Sequence, residues 1–249
     1  MTPGRFLLAA AALLLATQVT AEAPPRIAII IDDLGYQLEA GLRAIELPGP
    51  VAYAVLPGTP RGHQLARIAN HHGKEVLLHL PLEAVGSRGT VEPGAIMLDM
   101  SRAAFREVFA GAVAAVPFAT GVSSHRGSLL TRHPGHMIWL MEEISEREDL
   151  FFIDSYTTHD SVALQIAAEA GVSAMKRDVF LDHERSTDAV MHELERLKSM
   201  ARERGRAVGI GHPFPETLEV LERELPKLSE QGFELVTISE LLADRLNRT

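Results

Sequence analysis

The chain has 249 residues, of which 46% are hydrophobic, 23% charged and 5% aromatic, and it contains no cysteine. That apolar fraction excludes a disordered chain, and the missing thiols exclude disulfides, thiolate metal sites and cysteine nucleophiles. With 24 basic against 33 acidic residues the formal net charge is −9. This balance lacks the basic footprint of a nucleic-acid binder and disfavours anionic lipid. Any metal must be held by His, Asp or Glu.

Residues 1–21 read as a signal peptide. Met1–Arg5 carries one positive charge, Phe6–Ala16 (FLLAAAALLLA) is an apolar run short for a membrane span, and Val19-Thr20-Ala21 supplies small residues at a cleavage site. The alternative is an N-terminal anchor, which the short run and the small-residue site disfavour. Export, to the periplasm, is therefore expected, with no membrane span after cleavage. Residues 22–25 read as a short tether and 26–249 as the domain.

From Arg26 onward, strand-like and helix-like segments alternate. Arg26–Ile31 (RIAIII) is a continuous β-branched run of the kind buried on both faces. Further strand-like runs are Val51–Leu56, Glu75–Leu80, Ala119–Val122, Leu150–Ile153, Ser173–Val179, Ala207–Ile210 and Phe233–Ile238. Between them Gln37–Leu47, Pro60–His72, Ser101–Val116, Pro134–Arg147, Ser161–Ala170, Thr187–Arg204 and Glu216–Gln231 carry apolar residues at helical spacing. Ser101 and Ser186 suit N-caps, and Gly73, Gly171, Gly205 and Gly232 stand where helices stop. Residues 84–100 form the longest aperiodic insertion and are expected to be an ordered loop. The pattern predicts one α/β domain, an irregular (β/α) barrel of seven to eight parallel strands; a doubly wound open sheet fits the alternation less well at this length.

Chemistry in such folds sits beyond the carboxyl ends of the strands. There the chain places Asp32 and Asp33, His79 and Glu83, Ser123-Ser124-His125-Arg126, Asp154, Asp178, Asp182 and His183, and His212. Each has a plain structural alternative. Adjacent aspartates cap helices, and a lone histidine in an apolar strand is more often a hydrogen-bonded core residue. His63, His71, His72 and His192 fall on helical segments, and His133 and His136 at a helix start. His159 and His183 stay open. A carboxylate with two imidazoles is nevertheless a standard catalytic zinc set. Asp33, His79 and His125 can supply it, with Asp32 as general base and His212 as general acid. No His-Glu-x-x-His, nucleophile elbow, phosphate loop or dinucleotide motif is present.

The segments IIDDLG (30–35), HLPLE (79–83), GVSSHRGS (121–128), FFIDSYTT (151–158) and GIGHPFPET (209–217) resemble, in order, the motifs of the divergent polysaccharide deacetylase family. That family is a distant branch of the NodB-homology deacetylases, and the resemblance covers residues 26–245. It implies an irregular barrel, usually described with seven strands, and one divalent metal, commonly zinc. It further implies a substrate among N-acetylated glycans such as chitin or peptidoglycan. By resemblance Asp32 matches the base, Asp33 and His79 metal ligands, His212 the general acid, and Asp154 an orienting aspartate. Glu83 occupies the place of the second histidine in the ordinary His-x-x-x-His pair, which makes His125 the replacement ligand. Ser123, Ser124 and Arg126 stand where two asparagines and a methionine are usual, Tyr156 where an arginine is common, and Phe214 where a second histidine is common. Glu83, Ser124, Arg126, Asp154 and Asp178 are thus candidate substrate-binding or orienting residues. The expected function is metal-dependent removal of acetyl groups from an N-acetylated cell-envelope carbohydrate. The alternatives are an esterase on O-acetyl sugars, or a non-catalytic periplasmic protein that binds glycan or a partner on the same scaffold.

Overall fold

A computed structural model describes residues 23–86, 92–147 and 150–246. The signal-peptide expectation falls on residues 1–21, outside the described residues. The described residues form nine strands: β1 (Arg26–Leu34), β2 (Ala52–Val55), β3 (Glu75–Leu82), β4 (Ala119–Arg126), β5 (Phe151–Asp154), β6 (Ala174–Lys176), β7 (Val179–Phe180), β8 (Arg206–Gly211) and β9 (Glu234–Leu235). The α-helices are α1 (Leu38–Ile45), α2 (Gly62–His71), α3 (Arg102–Ala115), α4 (Pro134–Ser145), α5 (Ala163–Glu169), α6 (Thr187–Arg204), α7 (Pro215–Glu224) and α8 (Ile238–Leu246). No helix among the described residues is long and apolar enough to cross a membrane.

All pairings are parallel, in the order β6-β5-β4-β3-β2-β1-β8-β7, with β9 added beside β1. The two ends of this curved sheet, β6 and β7, are joined in the chain through Arg177 and Asp178. No ladder closes them among the described residues, so the expected irregular barrel is an eight-strand open one.

Strand alternation divides the core in two. Ile27, Ile29 and Ile31 of β1 face the large outer cluster, which also takes in the buried faces of α1 to α7. Ala28 and Ile30 face inward with Ala52, Ala54, Leu77, Phe151, Ile153, Met175, Val208 and Ile210. Val236, Ile238, Leu241 and Leu242 complete this inner cluster, so α8 plugs the lower mouth of the barrel. Here the sequence expectation needs correction. Phe233–Ile238 reads as a strand-like run, but only Glu234–Leu235 pairs with β1, and Ile238 begins a helix. Similarly, Ser173–Val179 is two short strands rather than one.

The punctuation works as expected. The Ser101 and Ser186 hydroxyls accept from the amides of Ala104 and Ala189. Gly205 ends α6 in the left-handed conformation. Glu75, at the bottom of the lumen, accepts from the amides of Ile238 and Ser239 and from the Ser239 hydroxyl, fastening α8 in place. Of the 84–100 loop, residues 92–98 clip onto β3. Ile96 bridges Leu82, its amide donates to Pro81, its carbonyl accepts from Glu83, and the Leu98 amide donates to the Glu83 carboxylate.

Candidate metal and catalytic site

The inward face that is apolar in the barrel's middle becomes polar at its top. Continuing Ala28 and Ile30 by two residues gives Asp32; Leu77 gives His79, Ser123 gives His125, and Val208 and Ile210 give His212. Period-two alternation alone would turn Asp33 away from Asp32. A bulge prevents this: Ile31 pairs with Tyr53 and Leu34 with Val55, leaving two residues of β1 opposite one of β2. Asp33 sits in that bulge at φ 59°, the left-handed region. Both carboxylates can therefore serve one site. Arg126 (φ 57°) and Tyr156 (φ 53°) are also left-handed at strand ends on this rim, a concentration of strain typical of functional sites.

Asp33 Oδ1 lies 3.0 Å from His125 Nδ1 and 3.2 Å from His79 Nε2, and the two imidazole nitrogens are 3.2 Å apart. Among the described residues this is the one group of three side chains disposed to hold a metal ion. A tetrahedral ion with arms of 2.0–2.1 Å has ligand–ligand edges of about 3.3 Å, so the triangle matches one face of such a shell. Asp33 Oδ1 is buried, yet neither contact is aligned as a hydrogen bond. The donor chemistry, two imidazoles and a carboxylate, fits zinc. Burial alone would raise Asp33, but His125 and His79 outweigh it and hold it far below the usual carboxylate range. Conversely, burial would lower His125, and Asp33 and Glu92 outweigh that and raise it.

Asp32 is buried, with Oδ2 3.5 Å from His79 Nε2 and Oδ1 without a hydrogen-bond partner. Burial pushes its carboxyl up, with His79 and His212 only partly opposing. On the other wall His212 Nε2 is 3.6 Å from Asp33 Oδ2. Its Nδ1 faces Asp182 Oδ1 at 2.9 Å, and its backbone amide donates to Asp182 Oδ2. Thr217 donates to the same oxygen. Gly211 makes this approach possible, because a Cβ there would lie 3.0 Å from Thr217 Cγ2 and 3.3 Å from Asp182 Oδ2. Phe214 stacks on the His212 ring and Phe180 meets it edge-on.

The remaining candidates fall into different places. Glu83 secures the 92–98 clip through Leu98. Ser124 accepts from the Ser155 amide. Asp154 accepts from the Tyr156 amide and the Ser161 hydroxyl, closing the turn after β5, and from the hydroxyl of the neighbouring candidate Ser124. Arg126 pairs with Glu92. Asp178 stands apart from the cluster: it accepts from the Val208 amide and meets Arg204, toward the entry end of β8.

Three residues given no role from sequence stand at the site. Asp182 holds His212. Glu92 touches His125 Nε2 at 2.8 Å. Arg177 donates to the Ser155 and Tyr156 carbonyls, and the charge of Asp32 acts on its guanidinium, which burial lowers. Asp182 was visible as a strand-end carboxylate, whereas nothing in the aperiodic loop marked Glu92.

A parallel (β/α) barrel with an Asp33-His79-His125 cluster at its mouth, flanked by Asp32 and His212, has the deacetylase-like fold. The divergent polysaccharide deacetylase family model matches residues 29–242, and the chain belongs to that family. It is 35% identical over 217 residues to the uncharacterized protein YibQ of Escherichia coli, covering 87% of this chain and 67% of that protein. The crystal structure of the uncharacterized protein ATU2773 from Agrobacterium tumefaciens superposes with a TM-score of 0.84 at 24% identity, covering 89% and 91% of the two chains. BA3943 of Bacillus anthracis, described as a CE4 family pseudoenzyme, shares the fold with a TM-score of 0.54 at 16% identity, covering 88% of this chain and 66% of its own. A mutant of BA3943 is described as having restored enzymatic activity.

Proposed function

We propose that this protein is a metal-dependent hydrolase that removes acetyl groups from an N-acetylated carbohydrate of the cell envelope. The observation that carries the reading is the Asp33–His79–His125 triangle with Asp32 on one side and His212 on the other. The family supports a carbohydrate substrate, peptidoglycan-like glycan being the first to try. Export to the periplasm, from the Phe6–Ala16 run, belongs to the same reading.

Asp33, His79 and His125 would hold the cation. Bound there, a zinc ion supplies Lewis acidity, polarising the acetyl oxygen and acidifying water. Asp32, whose burial raises its proton affinity, takes the proton of the water that adds to the amide carbon. His212 delivers a proton to the nitrogen as the C–N bond breaks, so the products are acetate and a free amine. Asp182 keeps the His212 proton on Nδ1 and turns Nε2 toward the lumen. An ester substrate would follow the same steps with oxygen as the leaving atom.

The fold alone does not decide for catalysis, since the pseudoenzyme BA3943 shares it. A binding protein on this scaffold is the competing reading. Incubation of the zinc-loaded protein with N-acetylglucosamine oligomers and peptidoglycan fragments, scored by acetate release, separates the two. Release that is lost in Asp32→Asn supports the hydrolase. Glycan binding without release, equal in parent and Asp32→Asn, establishes the binder.

A further inference from the structure

Glu92 lies in the aperiodic insertion, and the segment that follows it fixes its place. The 92–98 segment is clipped to the end of β3 through Pro81, Glu83 and Ile96. A turn from the Glu92 carbonyl to the Ala95 amide then points the side chain back over the rim. One carboxylate oxygen meets Arg126 Nη2 at 2.9 Å and the other His125 Nε2 at 2.8 Å. The imidazole contact is not aligned as a hydrogen bond, so Glu92 Oε2 and His125 Nε2 are both buried without one. His125 thus has its two ring nitrogens on different duties. Nδ1 faces Asp33 and His79, and Nε2 faces a carboxylate from a separate segment.

We infer that Glu92 is the positioning carboxylate of this metal site, fixing the tautomer and orientation of His125 through their direct contact. The inference rests on the metal reading above. A ligating imidazole needs its free nitrogen protonated and turned to a fixed acceptor, and a carboxylate there makes the ring a better donor. With the proton on Nε2, a small rotation of the ring brings it into line with Glu92 Oε2 and leaves Nδ1 as the ligand atom.

The test is zinc affinity of the purified full chain, stripped with a chelator and titrated in competition with a chromophoric one. Parent, Glu92→Gln and Arg126→Met are compared, each with a thermal melt to confirm folding. Glu92→Gln is expected to bind zinc about 10- to 100-fold more weakly. Arg126→Met, which removes the other ion pair of Glu92 but not its His125 contact, is expected to stay within about fivefold of the parent. Equal affinity in Glu92→Gln and parent overturns the inference. A loss in Arg126→Met as large as in Glu92→Gln also overturns it, because the charge pairing of Glu92 and not its imidazole contact would then set affinity. A parent that binds no zinc overturns the metal reading itself, and this inference with it.

Discussion

Asp182 grips His212 twice, with Oδ1 2.9 Å from the ring Nδ1 and Oδ2 2.6 Å from the backbone amide. The side chain and the chain that carries it are therefore oriented by one carboxylate. Burial alone would lower His212, but Asp182, helped by Asp32 and Asp33, outweighs it and raises the imidazole above its ordinary value. A raised imidazole keeps its proton to higher pH, so the proposed mechanism predicts turnover that falls as pH rises through that value. Asp182→Asn is expected to shift the alkaline limb of the rate profile to lower pH and reduce kcat by about 10²- to 10⁴-fold. A pH profile of kcat against the parent checks both.

Asp33, a ligand in the proposed site, sits on a strained backbone. Asp33→Ala and Asp33→Gly both remove the carboxylate, but alanine keeps the cost of φ 59° and glycine does not. Asp33→Gly is expected to be about 1 kcal/mol more stable than Asp33→Ala in urea unfolding. Equal midpoints would argue against the bulge as the device that turns Asp33 inward.

The plug under the barrel predicts a purely structural phenotype. Glu75 spends both oxygens on the start of α8, and an amide in its place leaves one buried donor facing another. Glu75→Gln is expected to cost about 1–3 kcal/mol. Leu241→Ala, which empties part of the lumen, is expected to cost about 2–5 kcal/mol. Both are expected to bind zinc like the parent while folded. Chemical denaturation beside a zinc titration separates the two effects.

Strand-end chemistry was legible because an apolar run followed by Asp, His or Glu is a local pattern. That pattern placed Asp32, Asp33, His79, His125 and His212 on one rim, and the structure brings these five together. The same pattern did not tell Asp178 from Asp182. Two residues decide between entry and exit of such short strands, and Asp178 precedes β7 whereas Asp182 follows it. Nor did β4 look eight residues long, because Ser123, Ser124 and His125 are polar residues inside a strand whose inner face lines a site. Glu92 was beyond reach, since only the clip onto β3, a contact between distant residues, carries it to His125. The C-terminal helix was hidden because the six-residue run Phe233–Ile238 takes in both β9 and the start of α8.

The most direct measurement is the metal content of purified residues 22–249 after incubation with zinc and desalting, beside Asp33→Ala and His125→Ala prepared alike. One zinc per chain in the parent, lost in both variants while their fold persists, is the result predicted. A parent that retains no zinc, or variants that retain as much as the parent, would contradict the site and with it the hydrolytic mechanism.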